Sequence, residues 1–142
     1  MNDDFFAEFD VTFAELARRS RPGEFAPNAD VYLSSDGSTM QVDVEIAGAE
    51  PAELRVMVEA RRLYIVGRRI DRERAGRGSV LQKEIAYGDF ARKIHLPMAV
   101  DYEDATASYR DGILTIRLPI SEHSHLPTRR TEIRMTVKRI PA

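Results

Sequence analysis

Ser121, His123 and Asp104 supply the residue types of a nucleophile, a base and an orienting acid, so acyl transfer is the first chemistry to weigh for this chain. The Ser lies in a polar stretch with no G-x-S-x-G elbow to hold its hydroxyl against a base, which argues against it. Asp101, Glu103 and Asp104 group three carboxylates, yet they lack the twelve-position loop that wraps Ca²⁺ and read as an acidic turn. His123 and His125 have no third ligand at metal spacing nearby. Gly76 and Gly78 are not followed by the Lys-Ser/Thr of a phosphate loop. Cys is absent, which removes disulfides, thiolate catalysis and Cys-ligated zinc or iron–sulfur centres. The expectation is a non-enzyme without cofactor or metal.

Binding chemistry is the next class. Arg61, Arg62, Arg68, Arg69, Arg72, Arg74 and Arg77 form a basic stretch, but Tyr64 is its lone stacking ring and Asp71 and Glu73 dilute its field. Over the whole chain 21 basic residues face 23 acidic ones, a formal charge of -2, so no global positive potential recruits nucleic acid. No apolar run approaches the roughly 20 residues that span a bilayer. The acidic start Met1-Asn2-Asp3-Asp4 lacks the basic region of a secretory signal. Neither nucleic acid nor membrane is an expected partner, and the cytoplasm is the default location.

The elements around these residues are mostly strands. The 142 residues fit one domain, which can bury about two-thirds of the surface of its unfolded chain. Residues 1–28 form an arm in which Phe5, Phe6, Phe9, Phe13, Leu16 and Ala17 recur at helical spacing, with Thr12 and Glu15 spaced as a capping box. Two readings stand for it: a short helix on its own domain, or a sticky arm that meets partner chains. From Ala29 the period changes to two. Asp30–Leu33 is a candidate edge strand, Ser35–Ser38 a turn, and Met40, Val42, Val44 and Ile46 the apolar face of a half-buried strand. Leu54, Val56 and Val58 form the next face, and Leu63–Gly67 follows after a turn at Glu59–Arg62. A charged connection over residues 68–79 leads to a candidate strand at Val80–Ile85.

Phe90, Arg92, Ile94 and Leu96 share the next face, so Arg92 either finds a carboxylate or carbonyls, or snorkels along a sheet rim. A short strand at Ala105–Tyr109, a tight turn at Arg110-Asp111-Gly112 and alternation through Leu114, Ile116 and Leu118 close a domain spanning residues 29–120. The tail, residues 121–142, regains period two at Ile133, Met135 and Val137. So short a strand adds to something else, either its own sheet or the edge and groove of another chain.

Three segments carry a family likeness. Ala107-Ser108-Tyr109-Arg110-Asp111-Gly112-Ile113-Leu114 fits an A-x-x-x-x-G-[V/I]-L pattern, Gly88-Asp89-Phe90-Ala91-Arg92 with Leu96-Pro97 fits G-x-F-x-R and a following L-P, and Glu45-Ile46-Ala47-Gly48 stands where an L-P-G turn is common. The chain resembles the small heat shock proteins built on the alpha-crystallin domain. That resemblance implies an all-β, immunoglobulin-like sandwich that pairs into homodimers and assembles further. It also implies an ATP-independent holdase whose partners are unfolding client proteins. Residues 70 to 80 would be the loop that carries a strand onto the partner's sheet. The tail's groove would lie between Leu54, Val56 and Val58 on one strand and Ala107 and Tyr109 on another. Family tails bear an I-x-I or V-x-I motif; here Thr131-Glu132-Ile133, Ile133-Arg134-Met135 and Met135-Thr136-Val137 are the approximations, which makes Ile133, Met135 and Val137 the candidate assembly residues. Arg92 matches a position that helps hold the domain and the dimer. Phe5, Phe6, Phe9 and Phe13 are the candidate client-binding residues. A non-catalytic adaptor with one specific partner is the alternative function on the same fold.

Overall fold

The computed structural model describes residues 25–71, 78–101, 103–121, 131–133 and 135–137, and there the chain is built almost wholly of strands. Their order is β1 (Asn28–Leu33), β2 (Thr39–Glu45), β3 (Arg55–Glu59), β4 (Arg62–Arg69), β5 (Gly88–His95), β6 (Thr106–Arg110), β7 (Ile113–Pro119), β8 (Thr131–Ile133) and β9 (Met135–Val137). A short 3-10 turn at Pro51–Glu53 precedes β3. Two sheets result, with strand orders β1-β2-β7-β6-β9 and β5-β4-β3-β8. All pairings are antiparallel except β6 with β9.

The sandwich follows from the period-two pattern. Met40, Val42 and Val44 in β2 pair with Leu118, Ile116 and Leu114 in β7, and all six are buried. Leu63 and Ile65 in β4 and Val56 and Val58 in β3 supply the opposing layer. Interdigitated inner faces of this kind hold an aligned two-sheet sandwich together. Burial of each such side chain contributes about 1.5–3 kcal/mol. The outer face of β2 and β7 stays polar, with Gln41, Asp43, Thr115 and Arg117.

Tight turns fix the register. Asp111 and Gly112 both have positive φ, +54° and +80°, between β6 and β7, which is the conformation a two-residue hairpin favours. A side chain at Gly112 would press on Ala47, its Cβ 3.0 Å from the Ala47 Cα. The candidate strand at Val80–Ile85 is not a strand in the single chain: the segment joins no ladder, and Val80, Leu81 and Ile85 are exposed. A strand needs an edge to pair with, and this segment pairs with neither of the end strands β1 and β5 of its own sheets.

Candidate functional site

The two sides of the sandwich end differently, and the candidate site residues divide between them. On one side β3 and β6 would expose the edges of both sheets. β8 lies antiparallel on β3, with Ile133 opposite Val56 and Thr131 opposite Val58, while β9 runs parallel to β6, with Met135 opposite Ala107 and Val137 opposite Tyr109. The single tail strand expected from the spacing is therefore two strands of three residues, one in each sheet. Two open edges face each other there, and the tail serves both.

Of the expected groove residues, Val56 and Val58 on β3 and Ala107 on β6 flank this seam and are buried in the core with Ile133, which is 4 % exposed, and Tyr109 packs against that core half-buried. Leu54, just before β3, is buried too, but its Cδ2 lies toward Gly67 of β4, beside Phe90. Tyr109 has a second attachment. Its hydroxyl donates to the Ile46 carbonyl at 2.9 Å, and burial pushes its phenol above the ordinary value, opposed first by the Ala49 and Gly48 backbone and then by Arg69. The hydroxyl thus ties β6 to the turn that follows β2.

The other side carries β1 and β5, each paired on one flank only among the described residues. Val31, Tyr32 and Leu33 of β1 are exposed. Arg92 of β5 sits opposite the buried Ile65, between buried Phe90 and Ile94. Its Nη1 donates to the Pro27 carbonyl at a long 3.5 Å, while its Nε is buried without a hydrogen-bond partner. Among the described residues no carboxylate pairs with it. Of the two sequence alternatives, a carbonyl partner is present but it engages only one nitrogen.

Sequence reasoning assigned no role to Arg69 or Phe25. Arg69 closes β4 and stacks over the Phe25 ring at 3.6 Å, and that ring meets Phe90 edge-on at 5.1 Å between centroids. Arg68 beside it pairs with Asp89 at 2.6 Å and Glu53 at 3.4 Å, which raises its pKa. Two members of the basic stretch are thus committed within the domain. Phe5, Phe6, Phe9 and Phe13, the capping pair Thr12 and Glu15, and His123 and His125 lie outside the described residues. Among the described residues no three His, Asp or Glu side chains gather to hold a metal, and no helix is long and apolar enough to cross a membrane.

The architecture is an immunoglobulin-like sandwich whose β3 and β6 edges each receive a short strand of the chain's own tail. The Hsp20/alpha crystallin family model matches residues 33–137. Heat shock protein 16 of Schizosaccharomyces pombe is 30 % identical over 124 residues, covering 86 % of this chain and 85 % of that protein. Small heat shock protein C4 of Rickettsia felis is 32 % identical over 127 residues, 86 % and 75 % of the two chains. Among solved structures, heat shock protein 16.0 from Schizosaccharomyces pombe superposes with a TM-score of 0.64 at 28 % identity, over 75 % of this chain and 96 % of that one. The hspA protein from Xanthomonas axonopodis gives 0.60 at 26 % identity, over 68 % and 95 %. The chain belongs to the Hsp20/alpha crystallin family.

Proposed function

We propose that this protein is an ATP-independent holdase that binds unfolding proteins through apolar surface and strand edges and keeps them from aggregating. The observation that carries the reading is the seam. It is closed by two strands of only three residues each, and elements so short are marginal on their own. Their undocking would open the edges of β3 and β6 above Val56, Val58 and Ala107, a surface matched to the apolar segments and unpaired strands of folding intermediates. Phe5, Phe6, Phe9 and Phe13 add a second apolar contact for clients, and the 31 % charged composition keeps a loaded complex dispersed.

The working unit is a homodimer in which Val80–Ile85 of one copy adds to the β1 edge of the other. Leu81 is 97 % exposed, while among the described residues β1 offers an unpaired edge beside exposed Val31 and Leu33. Arg92 lies on the same side, where a second copy supplies its buried Nε with an acceptor. The tail anchors Ile133, Met135 and Val137 govern association beyond the dimer.

Light scattering of two unrelated heated clients, without nucleotide, tests the holdase reading. Suppression of both is expected, and residues 1–24 should be needed for full effect. Protection of neither at several-fold molar excess overturns it in favour of an adaptor with one specific partner.

A further inference from the structure

Arg69 touches three segments that are far apart in sequence. Its Nε donates to the Ala86 carbonyl at 2.9 Å, its Nη2 donates to the same oxygen, and its Nη1 reaches the Ala47 carbonyl at 3.4 Å. The guanidinium plane lies on Phe25 at 3.6 Å and faces the Tyr87 ring at 5.7 Å, and Tyr87 in turn carries Lys83 Nζ at 4.6 Å. Cation and ring thus alternate from Lys83 through Tyr87 and Arg69 to Phe25, and the column ends on Phe90 in the core. Ala86 stands two residues before Gly88, whose φ of +124° is open to glycine and strained for other residues. The loop 78–87 therefore enters β5 through a glycine bend at the ladder's end, where Gly88 pairs opposite Arg69, and the Arg69 fork fixes the carbonyl two residues before it.

We propose that Arg69 is a positioning residue that couples the root of the amino-terminal arm to the loop 78–87. Phe25 holds the guanidinium plane, the guanidinium holds Ala86, and the direction in which Val80–Ile85 leaves the domain follows. Displacing Phe25, as any pull on the arm would, frees one face of Arg69 and loosens the loop. That this loop then meets a second copy rests on the strand-exchange reading above; the coupling within one chain does not.

A nitroxide on Gln82→Cys, in a chain with no native cysteine, reads the loop, with Arg117→Cys on β7 as the reference position, at a concentration that keeps the chain monomeric. Arg69→Gln is expected to raise the ratio of mobile to immobile label in the loop about tenfold, the order given by one cation–π stack and a hydrogen-bonded fork. Phe25→Ala is expected to raise it several-fold in the wild-type background and not at all in the Arg69→Gln background. Arg69→Lys, which keeps the charge over the ring but not the fork, should fall between. Equal effects of Phe25→Ala in both backgrounds, or a β7 label mobilised to the same extent, would overturn the proposal. Sedimentation of the same unlabelled variants separates the two readings. Coupled mobility with an unaltered dimer leaves the Arg69 assignment standing and removes the strand-exchange dimer.

Discussion

The β3–β6 side and the β1–β5 side of the sandwich pose one physical problem and answer it in two ways. Each presents rows of backbone donors and acceptors that invite another strand. At β3 and β6 the chain's own tail occupies both edges, and Ile133 completes the core at the cost of ordering six residues. At β1 and β5 nothing within the described chain does so, and the apolar side chains Val31 and Leu33 stay open on the side that also holds Arg92 with its unpaired Nε. The covered side reports what short, weakly held strands can satisfy. The open side has the makings of a surface completed by a second copy, and the two should respond to mutation in opposite ways: stability of the single chain on one, association on the other.

The largest effect is expected at Leu81. Leu81→Ser removes an exposed side chain, so the melting temperature of the single chain should not move. Burying a leucine contributes about 1.5–3 kcal/mol, and a symmetric dimer buries it twice, so the dissociation constant should rise by roughly two to four orders of magnitude. Sedimentation over a hundredfold concentration range reads this directly. An unchanged dimer would remove the loop from the interface.

Arg92→Ala comes next and sharpens the contrast. In the single chain its truncation gives up one long contact to Pro27 and relieves a stranded Nε, so the fold should lose no more than about 1 kcal/mol. Loss of a paired guanidinium at an interface costs about 2–5 kcal/mol. Light scattering coupled to chromatography, with melting at a concentration that keeps the chain monomeric, separates the two numbers. A collapsed melting temperature with wild-type mass would reverse the assignment.

On the covered side the order of effects inverts. Ile133→Ser should lower the stability of the single chain by about 1–3 kcal/mol, less than a buried isoleucine in a long element would lose, because the penalty cannot exceed the free energy with which β8 docks. Chemical denaturation measures it, and exchange at β3 and β6 amides should rise in parallel. No loss of stability would mean that the tail does not hold the seam in solution.

What the sequence made legible, and what it hid, follow the same division. The alternation in Met40–Ile46 and Leu114–Leu118 is decisive because a one-residue slip would turn every apolar side chain outward, and the structure buries those residues as the pattern requires. Val56, Val58, Ala107 and Tyr109 flank the seam because they alternate on β3 and β6, two strands that were legible one at a time, whereas Leu54 precedes β3 and packs toward Gly67. The division of the tail into β8 and β9 was not legible, since it depends on two edges facing each other across the sandwich. Val80–Ile85 reads as a strand by composition, yet pairing is a property of an available edge rather than of six residues. Gly67 shows the same limit inside the core: a Cβ there would stand 2.5 Å from the Phe90 ring, a constraint set by the neighbouring strand. Arg69 looked like one charge in a basic run because its partners at Phe25, Ala47 and Ala86 lie 17 or more residues away.

The smallest effect is expected at the turn that joins β1 to β2, where the open edge is tied to the closed core. Asp36 accepts from the Ser34 hydroxyl at 2.7 Å, from the Ser38 hydroxyl at 2.7 Å and from the Ser38 amide at 3.0 Å. The bonds from Ser38, side chain first and then backbone, draw its carboxyl from the ordinary 3.8 down to about 2. A depressed carboxyl stabilises the folded chain while it is ionised and the unfolded one would be too. Its contribution is therefore complete above about pH 4 and disappears as the pH falls through about 2. Asp36→Asn keeps the shape and one acceptor but cannot ionise. The melting temperatures of the two proteins should differ by a small constant amount above pH 4 and converge between pH 4 and pH 2. Because the turn is exposed, added salt should narrow the gap. A gap that persists unchanged at pH 2 would assign the turn's stability to the geometry of its acceptor rather than to its charge.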